Sequence, residues 1–149
     1  MSEMRANPKL RGPGPRIRLA AALALFAAAG CAQSPACLLP SEKPMVLAQL
    51  FFGRDIPGRL PLTDAEWSGF AAQVISREFP DGFTVLDGDG QWLDPQTNVI
   101  SREPTKILLV AADPSADLEA RLAAVIESYR SRFDQKSVGL VTTTSCAAF

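Results

Sequence analysis

In this 149-residue chain, five residues in two short stretches have side chains that could do chemistry together: Gln91, Trp92, Arg102, Glu103 and Lys106. Trp92 with Arg102 or Lys106 could grip a small ligand by stacking plus charge. The plainer reading is an ion pair of Glu103 with Arg102 or Lys106 beside a packed tryptophan. Arg54, Asp81 and Asp113 form a second polar set. The first and third strands are expected to run parallel, which puts Arg54 at the end of one and Lys106 at the start of the other roughly 20 Å apart at ~3.3 Å per residue. On that expectation the two sets are separate sites.

Several chemistries are excluded or weakened by what the chain carries. It contains no histidine, which removes imidazole metal sites and every Ser-His-Asp or Cys-His arrangement. Thr142 to Ser145 is rich in hydroxyls but has no base beside it, so nucleophilic attack lacks an activator. Asp87, Asp89 and Asp94 resemble calcium ligands in D-G-D-G, yet the twelve-residue loop with its terminal Glu is absent, and a turn explains them. Asp64 and Glu66 fall in a capping box, and Tyr129 falls on a helical core stripe. No metal and no cofactor is expected. Two function classes stay open. One is a non-catalytic module binding a small ligand or a protein; the other is a cofactor-independent enzyme of tautomerase or monooxygenase type, in which a Lys, Arg or Glu moves a proton in an apolar pocket.

The elements that must position these residues follow from periodicity. Met45 to Phe52, MVLAQLFF, is apolar on both alternating faces and suits a central strand. Thr63-Asp64-Ala65-Glu66 starts a helix on which Trp67, Phe70, Ala71, Val74 and Ile75 share a face, and Pro80-Asp81-Gly82 ends it. A strand from Phe83 to Leu86 is expected to turn at Asp87 to Gly90 into a short return, Gln91 to Leu93, and to turn again at Asp94-Pro95. Lys106 to Ala112 is the next strand. Asp113 then caps a second helix with Pro114 in its first turn and Leu118, Leu122, Val125, Ile126, Tyr129 and Phe133 as its buried stripe. Ser137 to Cys146, rich in Val and Thr, is the last strand.

This order, β-α-β-β-α-β, predicts an α+β ferredoxin-like sandwich with two helices on one face of a four-stranded antiparallel sheet and an extra small hairpin. Two helices cover one face only. Leu47, Phe51, Ile107 and Leu109 alternate with Val46, Leu50, Phe52, Leu108 and Val110, so the second face also needs a cover. A homodimer packed through that open face is the expected partner.

Residues 1–30 have the anatomy of an export signal: five basic residues, an apolar run from Leu19 to Ala29, then small residues before Cys31. Eleven apolar residues are too few for a bilayer-spanning helix, which needs ~20. Ala28-Ala29-Gly30-Cys31 is similar to the box cut by the lipoprotein signal peptidase. That resemblance implies a lipidated Cys31 at the mature N-terminus, and Ala32 after it implies the periplasmic face of the outer membrane. Residues 31–43 read as the lipidated end and its tether, and 44–149 as the domain. Removal of the signal takes away five basic residues and one acidic, leaving ten basic and fifteen acidic, a net −5. Nucleic acid is then no partner, because binding it needs a basic face to displace counterions. Cys37 and Cys146 remain, and in an oxidising compartment they are expected to pair, closing a loop worth on the order of 4 kcal/mol.

L-F-F-G-R (Leu50 to Arg54), D-A-E-W (Asp64 to Trp67), F-P-D-G-F-T-V (Phe79 to Val85), G-Q-W (Gly90 to Trp92) and R-E-P-T-K (Arg102 to Lys106) together resemble a bacterial domain-of-unknown-function family of small exported, lipoprotein-like proteins. The likeness spans about residues 45–140. It carries no activity to this chain.

Overall fold

In a computed structural model the described residues are 37–149 apart from Gln96. The expected export signal, the expected lipidation site Cys31 and the start of the expected tether lie outside them. Four strands, β1 (Lys43–Gly53), β2 (Thr84–Leu93), β3 (Ile100–Ala112) and β4 (Gly139–Ala147), form one antiparallel sheet in the order β2-β3-β1-β4. A helical rod follows β1: α1 (Asp64–Phe70), a π-helical turn (Ala71–Ile75) and α2 (Ser76–Glu78). The second rod is α3 (Leu118–Phe133), between β3 and β4. The chain is thus an α+β fold. Among the described residues no helix is long and apolar enough to cross a membrane.

The core lies between the rods and one face of the sheet. Ala48, Leu50 and Phe52 of β1 and Leu108, Val110 and Ala112 of β3 point into it at every second residue, as strand geometry requires. From the rods come Trp67, Phe70 and Ile75, and Leu118, Leu122, Val125, Tyr129 and Phe133, with Ile126 packed at the margin. Both stripes match the helical spacing in the sequence.

The start of α1 also forms as its sequence indicates. The Thr63 hydroxyl accepts from Glu66 N–H at 3.2 Å, the Glu66 carboxylate accepts from Thr63 N–H at 2.9 Å, and Arg59 reaches the same carboxylate at 2.8 Å. The Thr63 amide first, then Arg59 and the Thr63 hydroxyl, hold the Glu66 pKa down from 4.5 to about 2. A depressed carboxylate stabilises the fold above its unfolded pKa, and the contribution is lost as pH falls toward the folded value. Acid titration of Glu66→Gln, followed by circular dichroism, should therefore lack the part of the stability loss that the parent shows between pH 4.5 and about 2. Identical profiles would mean that the box is open in solution.

Three local expectations are corrected. There is no extra small hairpin at Asp87 to Gly90. Instead β2 runs straight through and pairs with β3 from Thr84↔Leu109 to Leu93↔Ile100. The reversal comes later, where Asp94 N–H donates to Val99 O at 3.0 Å and Asn98 N–H to Asp94 O at 2.8 Å, with Asn98 in the left-handed region at φ 55°. The glycines serve close packing inside the strand. A Cβ on Gly88 would stand 3.0 Å from Ile107 Cδ1, and one on Gly90 3.1 Å from Thr105 Oγ1. Because β2 is continuous, β3 begins at Ile100 and not at Lys106.

The second correction concerns Asp113, which does not cap a helix. Asp113 to Ala116 makes a turn before α3, with Ser115 N–H on Asp113 O at 2.8 Å, and its carboxylate pairs with Lys43 at 2.7 Å. An Asp-Pro pair suits such a turn as well as a helix start. The third is that β1 and β3 are antiparallel neighbours, with Phe52 opposite Lys106 and Gly53 opposite Thr105. The end of β1 therefore meets the middle of β3, and the 20 Å separation of Arg54 from Lys106 does not hold.

A Cys37–Cys146 disulfide ties the lead-in of β1 to the end of β4, where Pro44 stands opposite Cys146. That pairing agrees with the expectation from the cysteine count.

Candidate functional site

Lys106 is the one buried charged residue among the described residues, 7% exposed. It sits on the helix side of β3, one pair beyond the apolar Leu108, with Phe52 across the ladder on β1 and Asp87 across on β2. Its Nζ lies 2.5 Å from Asp87 Oδ1 and 3.0 Å from Asp64 Oδ1, the first residue of α1. Arg54 Nη1 reaches the same Asp64 oxygen at 3.2 Å, while Arg54 Nε donates to Leu62 O at 2.7 Å and Nη2 donates to that carbonyl too. Arg54, Asp64, Asp87 and Lys106 thus form one network where the first rod begins over the sheet. Only the cations are sheltered; both carboxylates are about three-quarters exposed.

The electrostatics follow from that layout. The hydrogen bond to Asp87 raises the Lys106 pKa, opposed by burial and aided by Asp64. The hydrogen bond from Lys106, its charge and that of Arg54 lower Asp64. Lys106 is consequently held as an ammonium, the opposite of what a lysine general base needs. Tyr129, beneath the network, donates its hydroxyl to Gly53 O at 2.8 Å. Burial, and after it the charge of Glu103, pushes its pKa far up, so it too keeps its proton. Among the described residues no buried side-chain nitrogen or oxygen lacks a hydrogen-bond partner.

The five residues singled out from the sequence do not assemble. Strand alternation puts Gln91, Arg102 and Lys106 on the helix side and Trp92 and Glu103 on the open side. Arg102, four residues from Lys106 along an extended strand, is roughly 13 Å away and lies beyond the cover of the rods. The expected pairing of Glu103 with Arg102 or Lys106 is not formed. Glu103 instead accepts Asp55 N–H at 2.9 Å, its carboxylate resting where a Cβ on Gly53 would be. Trp92 is 51% exposed rather than packed.

The second set divides as well. Arg54 joins Lys106 at one end of the sheet, and Asp81 and Asp113 meet at the other. There β3 runs on past the start of β2, and the gap opens into a cavity of about 550 Å³. Met45, Leu47, Phe79, Phe83 and Leu109 make its apolar walls; Lys43, Asp81, Asp113 and Arg121 carry its charges. Asp64 and Asp87 as partners of Lys106, and Arg121 in the cavity, were not singled out from the sequence. Each is explained locally by a cap, a turn or a helix face, and only the fold reveals the second role.

The comparisons with known proteins concern the fold and the family. A phage SAM lyase in complex with S-methyl-5'-thioadenosine superposes with a TM-score of 0.54 at 12% identity, over 78% of this chain and 97% of that one. A phage SAM lyase in the apo state gives 0.53 at 13% identity, over 71% and 90%. At such identity the likeness is one of fold alone. No curated protein matches the sequence. Residues 47–149 match DUF3574, a family described as protein of unknown function.

Proposed function

The chain belongs to the DUF3574 family, and from that premise we propose that it is an exported, lipid-anchored periplasmic binding protein rather than an enzyme. The observation that carries this reading is the state of Lys106 and Tyr129. Lys106 Nζ is clamped between Asp87 and Asp64, and the Tyr129 hydroxyl donates to Gly53 O, so the polar network ties the first rod to the sheet and these surroundings raise both pKa values, away from what a base needs. The basic and apolar segments before Cys31 and the small residues next to it support export and lipidation. Element order and the sheet order β2-β3-β1-β4 support a ferredoxin-like sandwich.

A second copy is the partner of the open face. Leu86 and Val141 are about half exposed there, beside the partly covered Phe51 and Ile107. Contiguous apolar surface of this kind is costly to leave in water.

The test is native mass spectrometry of the full chain, produced in a bacterial host with a periplasm and extracted from membranes in detergent. Dimers whose protomers start at Cys31 and carry diacylglyceryl mass are the expected result. An unprocessed or unlipidated monomer would overturn both the anchoring and the sheet-packed dimer. The cofactor-independent enzyme is the second reading, favoured by the fold shared with a lyase. Incubation with SAM, watching for S-methyl-5'-thioadenosine, addresses it directly. Turnover would refute the non-catalytic reading; a silent assay agrees with it.

A further inference from the structure

We infer that the cavity at the start of β2 is a binding site for a small zwitterion with an apolar body, an amino acid or dipeptide. Its volume, about 550 Å³, falls within the ~300–1,000 Å³ of small-molecule sites. Volume alone would accept any apolar compound. The charged groups and their partners narrow the choice.

Arg121 is a fixed cation. It rises from α3, donates from Nε to Glu78 O at 2.7 Å and from Nη2 to the same carbonyl, and stacks over the Phe79 ring with Cζ 4.7 Å from its centroid. One edge of the guanidinium is thereby spent on holding the end of α2. Among the described residues Nη1 has no hydrogen bond or salt bridge, and the Asp117 carboxylate one turn earlier acts on the guanidinium by charge alone, so a planar donor locked in place is available to a carboxylate. The locking matters because little side-chain freedom is left to lose on binding.

The acids supply the complement. Asp81 belongs to the Pro80-Asp81-Gly82 turn, where Gly82 at φ 121° bends the chain around the cavity, and among the described residues its carboxylate has no cationic partner. Asp113 has one, Lys43, and that pair is more than half exposed at the rim. An exposed pair of this kind is worth little by itself and exchanges readily with ligand charges. The rim therefore carries two cations and two anions around an apolar pocket. A simple anion would leave Asp81 and Asp113 facing it, and a simple cation would leave Arg121. A molecule bearing both charges satisfies both sides, while its side chains rest on Phe83, Met45 and Leu47. Phe149, at the mouth, is fully exposed and does not fill the space.

The site rests on the binding reading above but not on copy number or anchoring. Calorimetric titration of the processed full chain with L-leucyl-L-leucine, its methyl ester and its N-acetyl form tests it. The free dipeptide should bind with a dissociation constant of about 1 mM or tighter. Each blocked form, lacking one charge, should bind roughly tenfold or more weakly. In Arg121→Gln the advantage of the dipeptide over its ester should vanish, and in Asp81→Asn its advantage over the N-acetyl form. Asp81 lies on an exposed turn, so that variant remains readable if loss of Arg121 unsettles the fold. No heat with the dipeptide, or equal binding of all three compounds, would overturn the assignment. A monomer that binds the dipeptide would refute the dimer and keep the site. A dimer that ignores it would do the reverse.

Discussion

Replacing Phe52 by alanine lowers the unfolding free energy by about 3–5 kcal/mol, the range for emptying a well-packed aromatic site. Phe52 is fully buried at the end of β1, where the sheet, both rods and the polar network meet. Its ring lies 4.7 Å from Tyr129, 5.2 Å from Trp67 and 6.3 Å from Phe70, edge-on to each. Such edge-to-face contacts add to the area buried, and the neighbouring rings are too rigid to collapse into the gap. A single domain of this size has a net stability of ~5–15 kcal/mol, so the loss is a large fraction of the whole. Urea unfolding followed by tryptophan fluorescence measures it directly, because Trp67 is one of the neighbours. Phe52→Leu should cost much less, since it keeps most of the volume. If Phe52→Ala cost under about 1 kcal/mol, the aromatic cluster would not be the centre of the core.

Removing the Cys37–Cys146 bond is the second large effect. The two cysteines are 109 positions apart, so the bond restrains nearly the whole described chain in the unfolded state. Chain-entropy arguments put the loss on order of 4 kcal/mol for such a loop. The double variant Cys37→Ala/Cys146→Ala should unfold at markedly lower denaturant concentration, and the parent should match it after reduction. The native sheet should survive, because the β1–β4 ladder continues from Lys43↔Ala147 to Phe51↔Gly139 without help from the bond. Equal midpoints for oxidised and reduced parent would show that the two thiols are not joined in solution.

Much of this architecture was legible because its signals are local and chemically specific. Thr63 and Glu66 satisfy each other's backbone within one turn, so the capping box needs nothing from the rest of the chain. The α3 stripe from Leu118 to Phe133 follows from helical periodicity, and the pairing of the two cysteines was expected from their count and the expected compartment. D-G-D-G misled for a definite reason. The same small residues that permit a turn also permit Ile107 and Thr105 to crowd against a straight strand, and only the neighbouring strand decides between the two. Trp92 and Glu103 could not be separated from Lys106 without the register, since a shift of one residue moves a side chain to the other face of a sheet.

What the sequence by itself determined is the order of the main strands and helices, the apolar faces they present, the charge left after the expected export processing, and the absence of imidazole chemistry. These depend on composition and on spacings of two to four residues. Tertiary structure alone decided which charges meet. Arg54, Asp64, Asp87 and Lys106 come from three strands or strand ends and a helix start, spread over fifty-two positions, and they converge because β1 and β3 run antiparallel. In this register the end of β1 falls beside the middle of β3, because β3 extends past it to Ile100. The same register also separates Arg54 from Asp81 and Asp113, which close the other end of the sheet beside Arg121. Long-range electrostatic partnership is a property of register, and register is set by the packing of whole faces rather than by any residue's immediate neighbours.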